Sequence, residues 1–465
     1  MNGAASDQQG YLEDYEKLAA RASRNGGAWV GDLRRRAMDR FRSLGFPTTR
    51  DEEWKYTSLE GLRRARLRTI DTATGGARGR DPFESGDWER YELMFPWTGE
   101  GKTGPGVREG RERGSDAGNA NVAEKGSNRV AAAAGARDGD VFIGRLADAV
   151  ELGLPWVKAN LGRHADYDGH ALRALNTAFV EDGGAVRLGR GVDLDRPVHM
   201  VFLADAGQES NRIVHPRTLV VVGAGSRLTL VEAYAGSGDA VHCTNAVTEI
   251  VLEDDAELDH YRLVREGGGT FHLGTVQVHQ SRNSRYRSHS VTTGGAMTRV
   301  ELNALFDGEG ADCLLQGLYV AGGSQHVDSR TAIEHAKPHG TSSELYKGVL
   351  NDRARAVFNG KIVVRKDAQK TDARQSNRNL MLSRDAEIDS KPQLEILADD
   401  VRCAHGTTIG QLEEDEMFYL RSRGLDAALA RKLLVHGFAS EILDGVAIEP
   451  LRDGLTSRVL AELGA

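Results

Sequence analysis

Cysteine is scarce: Cys243, Cys313 and Cys403 are the only three in 465 residues. None lies in a C-x-x-C pair or a clustered spacing, which argues against a disulfide framework. It also argues against a complete thiolate metal centre owned by this chain, because such centres draw on about four ligands at recognisable spacing. Any metal handled here would be held briefly or with ligands lent by a partner. A basic surplus is missing too. The formal net charge is -8, so the electrostatic footprint of a nucleic-acid binder is absent. No apolar run approaches the roughly 20 residues that cross a bilayer. The opening MNGAASDQQGYLEDYEKLAA lacks the basic-then-apolar plan of a signal peptide. The expected setting is the cytoplasm, away from membranes and nucleic acid. Serine-nucleophile elbows are absent as well: GAGSRL and GGSQHV have neither the second glycine nor the strand-to-helix transition.

What is present divides the chain into five stretches. Residues 1–70 read as helical, with YLEDYEKLAARASRN and WVGDLRRRAMDRFRSLG carrying apolar residues three and four apart and Gly45 placed to stop the second helix. Trp54 and Tyr56 are expected to anchor this piece on the rest. Residues 71–140 are rich in Gly and Arg and poor in apolar residues, and Gly99 to Gly139 reads as a flexible insert. GEGKTGPG within it lacks the spacing of a phosphate loop. Residues 141–184 again read as helical. From 185 to 410 the period becomes two, in short alternating strands such as RLTLVEAY, AELDHYRLV and ARAVFNGKIVV, with no helical crossovers. Many begin with polar turn residues and then a small one: Ser226, Ala256, Ser284, Ala311, Ala354 and Ala386. The early recurrences fall about 27 to 30 residues apart, and a small residue at a tight corner suggests a coil stacked turn on turn. The pattern predicts a β-helix or related β-solenoid, with a jelly roll as the alternative. Residues 411–465 return to helix, and the second helix there is apolar over a broad stripe of Leu429, Leu433, Leu434, Phe438 and Ile442.

Three constellations could carry chemistry. His326, His335 and His339 could serve a cupin-like metal site if the β region were a jelly roll, although Pro338 opposes a helix through His339. Asp254, Asp255, Asp399 and Asp400 offer carboxylates to a solenoid carbohydrate-active enzyme. The run DDVRCAHGTTIGQ places Cys403 and His405 two apart, so on a strand they share a face. A thiolate and an imidazole at a sheet edge could ligate a soft metal, the histidine helping to keep the cysteine deprotonated.

EEWKYTSL near the start, the run LYKGVLNDRARAVFNGKIVVRKDAQKTDARQSNRNLMLSRDAEIDSKPQLEILADDVRCAHGTTIGQLEEDEMFYLRSRGL, and ARKLLVHGFASEIL strongly resemble the SufB/SufD family of iron–sulfur cluster assembly proteins. The resemblance is to the SufD branch: Ala386 stands where SufB-like chains carry a cysteine, and C-x-H-G-x-T-x-G-Q is the SufD form. It covers about residues 10–65 and 140–465 and does not extend to the insert. What it implies is a right-handed parallel β-helix between N- and C-terminal helical domains. The chain would be a non-catalytic scaffold pairing with a SufB-like paralogue through the β-helix, or with itself when alone. It would bind a SufC-like ATPase through C-terminal helices, at Phe418, Arg431, Leu434 and Phe438. No cofactor would be permanently bound; a transient iron–sulfur cluster would form at the shared interface, with His405 and Cys403 contributing as tentative iron ligands.

Overall fold

The computed structural model describes residues 2–22, 27–69, 88–96, 107–109, 141–204 and 211–462. Two long sheets face each other, one running from Val141–Arg145 to Glu387–Ile396 and the other from Val107–Glu109 to Arg402–Gly410. The chain alternates between them, and each strand pairs in parallel with the strand two positions on, as in Glu257–Glu266 with Arg285–Gly294. The result is a parallel β-solenoid of about 7 turns. Parallel ladders rule out the jelly roll, which is antiparallel. The antiparallel pairs, Tyr91–Leu93 with Val107–Glu109 and Val141–Arg145 with Gly184–Leu188, lie at the first end of the coil.

The corners explain the repeated small residues. Gly225, Asp255, Asn283 and Gly310 adopt positive φ, and the next residues, Ser226, Ala256, Ser284 and Ala311, are wholly buried. A left-handed residue turns the chain, and the following Cβ is driven into the interior where only a small group fits. Ala354 and Ala386 are buried as well, although the residues directly before them, Arg353 and Asp385, are not left-handed. Ala256→Leu is therefore expected to overpack its corner and cost about 1–3 kcal/mol, read as a lower urea midpoint with unchanged slope.

Two apolar layers flank the second sheet. Along Glu257–Glu266, Leu258 and Val264 enter the interior cluster, whereas Tyr261 and Leu263 pack outward against the C-terminal helices. Those helices are Glu414–Ser422, Ala427–Leu443 and Glu449–Glu462. Asp426 caps the middle one by accepting from the Leu429 N–H at 2.8 Å. Its buried residues are Ala430, Val435, Ala439, Ile442 and Leu443; Leu429 and Leu433 of the apolar stripe are 42% and 45% exposed.

At the other end, helix Gly27–Leu44 packs on Ala171–Ala178, and Gly45 ends it at positive φ. Trp54 is an anchor, lying 3.7 Å from the Arg299 guanidinium, while Tyr56 is 37% exposed. The 141–184 stretch is not wholly helical. VFIGR forms a strand because a short apolar run closes the first turn of the sheet, ahead of helices Leu146–Glu151, Pro155–Asn160 and Ala171–Ala178. Within 71–140, Tyr91–Pro96 is a solenoid strand paired with Val198–Leu203. Residues 70–87, 97–106 and 110–140, most of the stretch read as a flexible insert, lie outside the described residues.

Candidate functional site at the mouth of the solenoid

The last turn is made by Glu387–Ile396 and Arg402–Gly410, and each is the terminal strand of its sheet. Their register shows what they present. Cys403, His405, Thr407 and Ile409 stack over Ala373, Gln375, Asn377 and Asn379. Those four residues below are all interior and no more than 3% exposed. Side chains in register on parallel strands share a face, so Cys403 and His405 project together into the open end of the coil. Opposite them Ile388, Ser390, Pro392 and Leu394 stack over Ala356, Phe358, Gly360 and Ile362. Ser390 Oγ lies 2.8 Å from Asn377 Oδ1 and 3.2 Å from Thr407 Oγ1, linking the two walls. The mouth is thus a half-finished turn: apolar and polar interior residues with no next layer above them among the described residues.

Within this mouth the two candidate ligands differ. His405 is exposed. Cys403 is half-buried beside Ile362, Val364, Ala368, Ala373, Leu394 and Val401. Burial first, and the nearby Asp372 carboxylate second, push its thiol up, only partly offset by the Ala373 backbone hydrogen bond. The expectation that His405 keeps Cys403 deprotonated is not met: burial and Asp372 favour the neutral thiol in the free chain. Among the described residues, no three His, Cys, Asp or Glu side chains converge as a metal-holding group. Sulfur and imidazole together are a donor pair suited to iron, zinc or copper, yet they are two ligands and not a site.

The other constellations come apart. His326 and His335 stand at opposite ends of one strand. His326 Nε2 is 3.0 Å from Thr57 Oγ1, and His335 Nε2 is 2.9 Å from Ser342 Oγ. His339 occupies a turn at φ 60. The cupin-like grouping therefore does not form. Asp254 and Asp255 pair with Arg282 at 3.3 and 3.2 Å in an exposed turn, and Asp400 pairs with Lys370. Asp399 is exposed beside it.

At the C-terminal helices the four expected partner contacts divide. Phe418 is 75% exposed, next to Tyr419 at 57%. Arg431 instead donates to the Leu382 carbonyl at 3.1 Å. Phe438 lies under the Lys347 ammonium, 4.5 Å from its ring centre, and its carbonyl accepts from that ammonium at 2.8 Å. Both fasten the helix to the solenoid, and Leu434 is half-buried. The large apolar side chains left exposed on these helices are Phe418, Tyr419, Leu429 and Leu433.

Sequence reasoning missed the polar interior. His260 bridges Glu232 at 3.0 Å and Tyr286 at 2.9 Å, and His272 lies 2.8 Å from Glu266 and 2.9 Å from Arg262, all sealed inside. Nearer the mouth, Glu344 accepts from Thr331 at 2.5 Å and Gln375 at 2.8 Å. Burial pushes its carboxyl up to about 7, with those two hydrogen bonds opposing. Between pH 4.5, the ordinary value, and about 7 the folded chain holds a proton that the unfolded chain releases. Stability from this group therefore falls as pH rises through that window, by about 3 kcal/mol. Glu344→Gln is expected to remove that fall, so urea melts at pH 5 and pH 8 should favour the variant at pH 8 by about that amount relative to pH 5.

Fold and site together define a class: a helix-capped parallel β-solenoid whose open end offers a thiol and an imidazole but, among the described residues, no complete metal centre. Two family models match the chain, the SufBD core domain of SUF system FeS cluster assembly over residues 202–438 and the SufBD protein N-terminal region over residues 5–65. The chain is 30% identical to the iron–sulfur cluster assembly protein SufD of Escherichia coli across 90% of its own length and 89% of that protein's. It is 39% identical to an iron–sulfur cluster assembly SufBD family protein of Synechocystis over 60% of this chain, a match spanning 64% of that relative. The chain belongs to the SufBD family of the SUF iron–sulfur cluster assembly system. No described helix is long and apolar enough to cross a membrane.

Proposed function

We propose that this chain is a non-catalytic scaffold subunit working in the cytoplasm, where it pairs with a SufB-like paralogue and binds a SufC-like ATPase. The observation that carries this reading is the open mouth. Its unpaired strand edges and interior residues Ile388, Leu394 and Ile409 call for a neighbouring strand layer, and a partner adds one by edge pairing. Covering the mouth brings the partner's ligands to Cys403 and His405, and a nascent iron–sulfur cluster, the cargo, is built between the two subunits. His405 acts as iron ligand or proton acceptor, and Cys403 as supporting thiol. When the paralogue is missing, a second copy of this chain covers the same edge. The ATPase sits on Phe418, Tyr419, Leu429 and Leu433, the exposed face of the C-terminal helices, and supplies the nucleotide chemistry.

Co-expression with tagged SufB-like and SufC-like chains tests the reading. All three should co-elute and form a cluster on anaerobic reconstitution with iron and sulfide. A chain that elutes apart from both partners would contradict it.

A further inference from the structure

Beneath His405 the interior holds a line of polar residues that the assembly chemistry above does not use. In the second sheet Leu315, Glu344, Gln375 and His405 occupy one column, each in register with the next. Neighbours in such a column are about 4.8 Å apart. Gln375 Nε2 donates to Glu344 Oε2 at 2.8 Å, which fixes the amide from below. Its Oε1 is sealed from solvent and has no donor among the described residues. A buried carbonyl left without a donor is costly, and the next residue in the column carries ring N–H groups. Gly360 supports this placement. A Cβ at 360 would stand 2.0 Å from Gln375 Nε2, so the glycine clears the space in which the amide lies.

We propose that Gln375 is a positioning residue for His405, its carbonyl oxygen accepting one imidazole N–H while Glu344 holds its amide in place. The inference rests on the reading of His405 as a cluster-assembly residue. Fixing which ring nitrogen carries the hydrogen leaves the other, with its lone pair, turned toward the mouth for metal or a proton. Gln375 touches neither iron nor sulfide; it acts through His405.

The test uses the full chain with Gln375→Leu, Glu344→Leu and Glu344→Gln. The first removes the acceptor, the second removes what holds the amide, and the third keeps an acceptor for Gln375 Nε2. Histidine 15N spectra of the free chain at pH 8, with His405 assigned by comparison with His405→Ala, report the tautomer. His405 should favour one tautomer in wild type and in Glu344→Gln, and lose that bias in both leucine variants. In the reconstituted complex the leucine variants should slow cluster formation on the order of tenfold, the worth of one such hydrogen bond, while still co-eluting with the partners. A structural role for the line would leave the tautomer unmoved.

An unchanged tautomer in Gln375→Leu, or a Glu344→Gln as disrupted as Glu344→Leu, overturns the inference. Because the spectra need no partner, they decide it even if the complex makes no cluster. Failure of the scaffold reading shows separately, as a wild-type complex without cluster.

Discussion

Glu249→Ala is expected to destabilise the chain by about 3–5 kcal/mol, the loss seen when one partner of a buried ion pair is removed. Glu249 and Arg217 pair at 2.6 Å, with side chains 0% and 1% exposed. The same carboxylate accepts from the backbone N–H groups of Gly162, His164 and Ala165 at 2.8 to 2.9 Å. Burial alone would push its carboxyl up, but Arg217 and the backbone donors more than offset this and hold it below the usual range. Arg217 reaches the helix Ala171–Ala178 as well, donating to Asn176 Oδ1 at 3.0 Å and Thr177 Oγ1 at 3.2 Å. One buried pair thus fastens the helical segment to the solenoid. Alanine at 249 leaves a guanidinium and three backbone donors buried without their acceptor. Adding Arg217→Met should restore part of the loss, since apolar replacement of a whole pair is often neutral. Urea unfolding reads both, and a single-variant loss under about 1 kcal/mol would show that the pair does not carry this junction.

His405→Ala is expected to have the opposite profile: nearly full stability and little assembly. Its side chain is exposed on the last strand, and the one inward contact inferred for it is the hydrogen bond to Gln375 Oε1. Loss of an exposed side chain with one such hydrogen bond costs about 1 kcal/mol, so the melting curve of the free chain should shift only slightly. In the complex, however, the mouth would lose one of its two proposed iron ligands, and cluster yield should fall by more than about tenfold, the value of a single lost charged-group interaction. Cys403→Ser should fall less, because burial and Asp372 already keep the thiol protonated before a metal arrives. Wild-type cluster yield from His405→Ala would remove His405 from the chemistry.

Much of this was readable from residue patterns, for physical reasons. Ser226, Ala256, Ser284 and Ala311 announced a stacked coil, because a left-handed turn residue followed by a cramped corner admits few side chains. Cys403 and His405 could be placed on one face because strand side chains alternate with period two. The polar interior could not be read the same way. In RLTLVEAY the outward Val231 and Ala233 are buried under the C-terminal helices, while the inward face carries Glu232. With apolar residues on both faces, alternation no longer tells inside from outside. The column under His405 was hidden for a different cause. Glu344 and Gln375 meet it through turn lengths that set the register, and these appear only once the coil is built. The exposure of Leu429 and Leu433 could not be read from the stripe, because a broad helical stripe does not say which part of it the neighbours cover.

On the proposed reading, this chain supplies half of a cluster-building site and its partner the rest. Iron and labile sulfide should be measured after identical anaerobic reconstitution of the chain alone and of its complex with the SufB-like and SufC-like subunits. A stoichiometric cluster is expected on the complex and almost none on the single chain. A full cluster on the chain alone would contradict it.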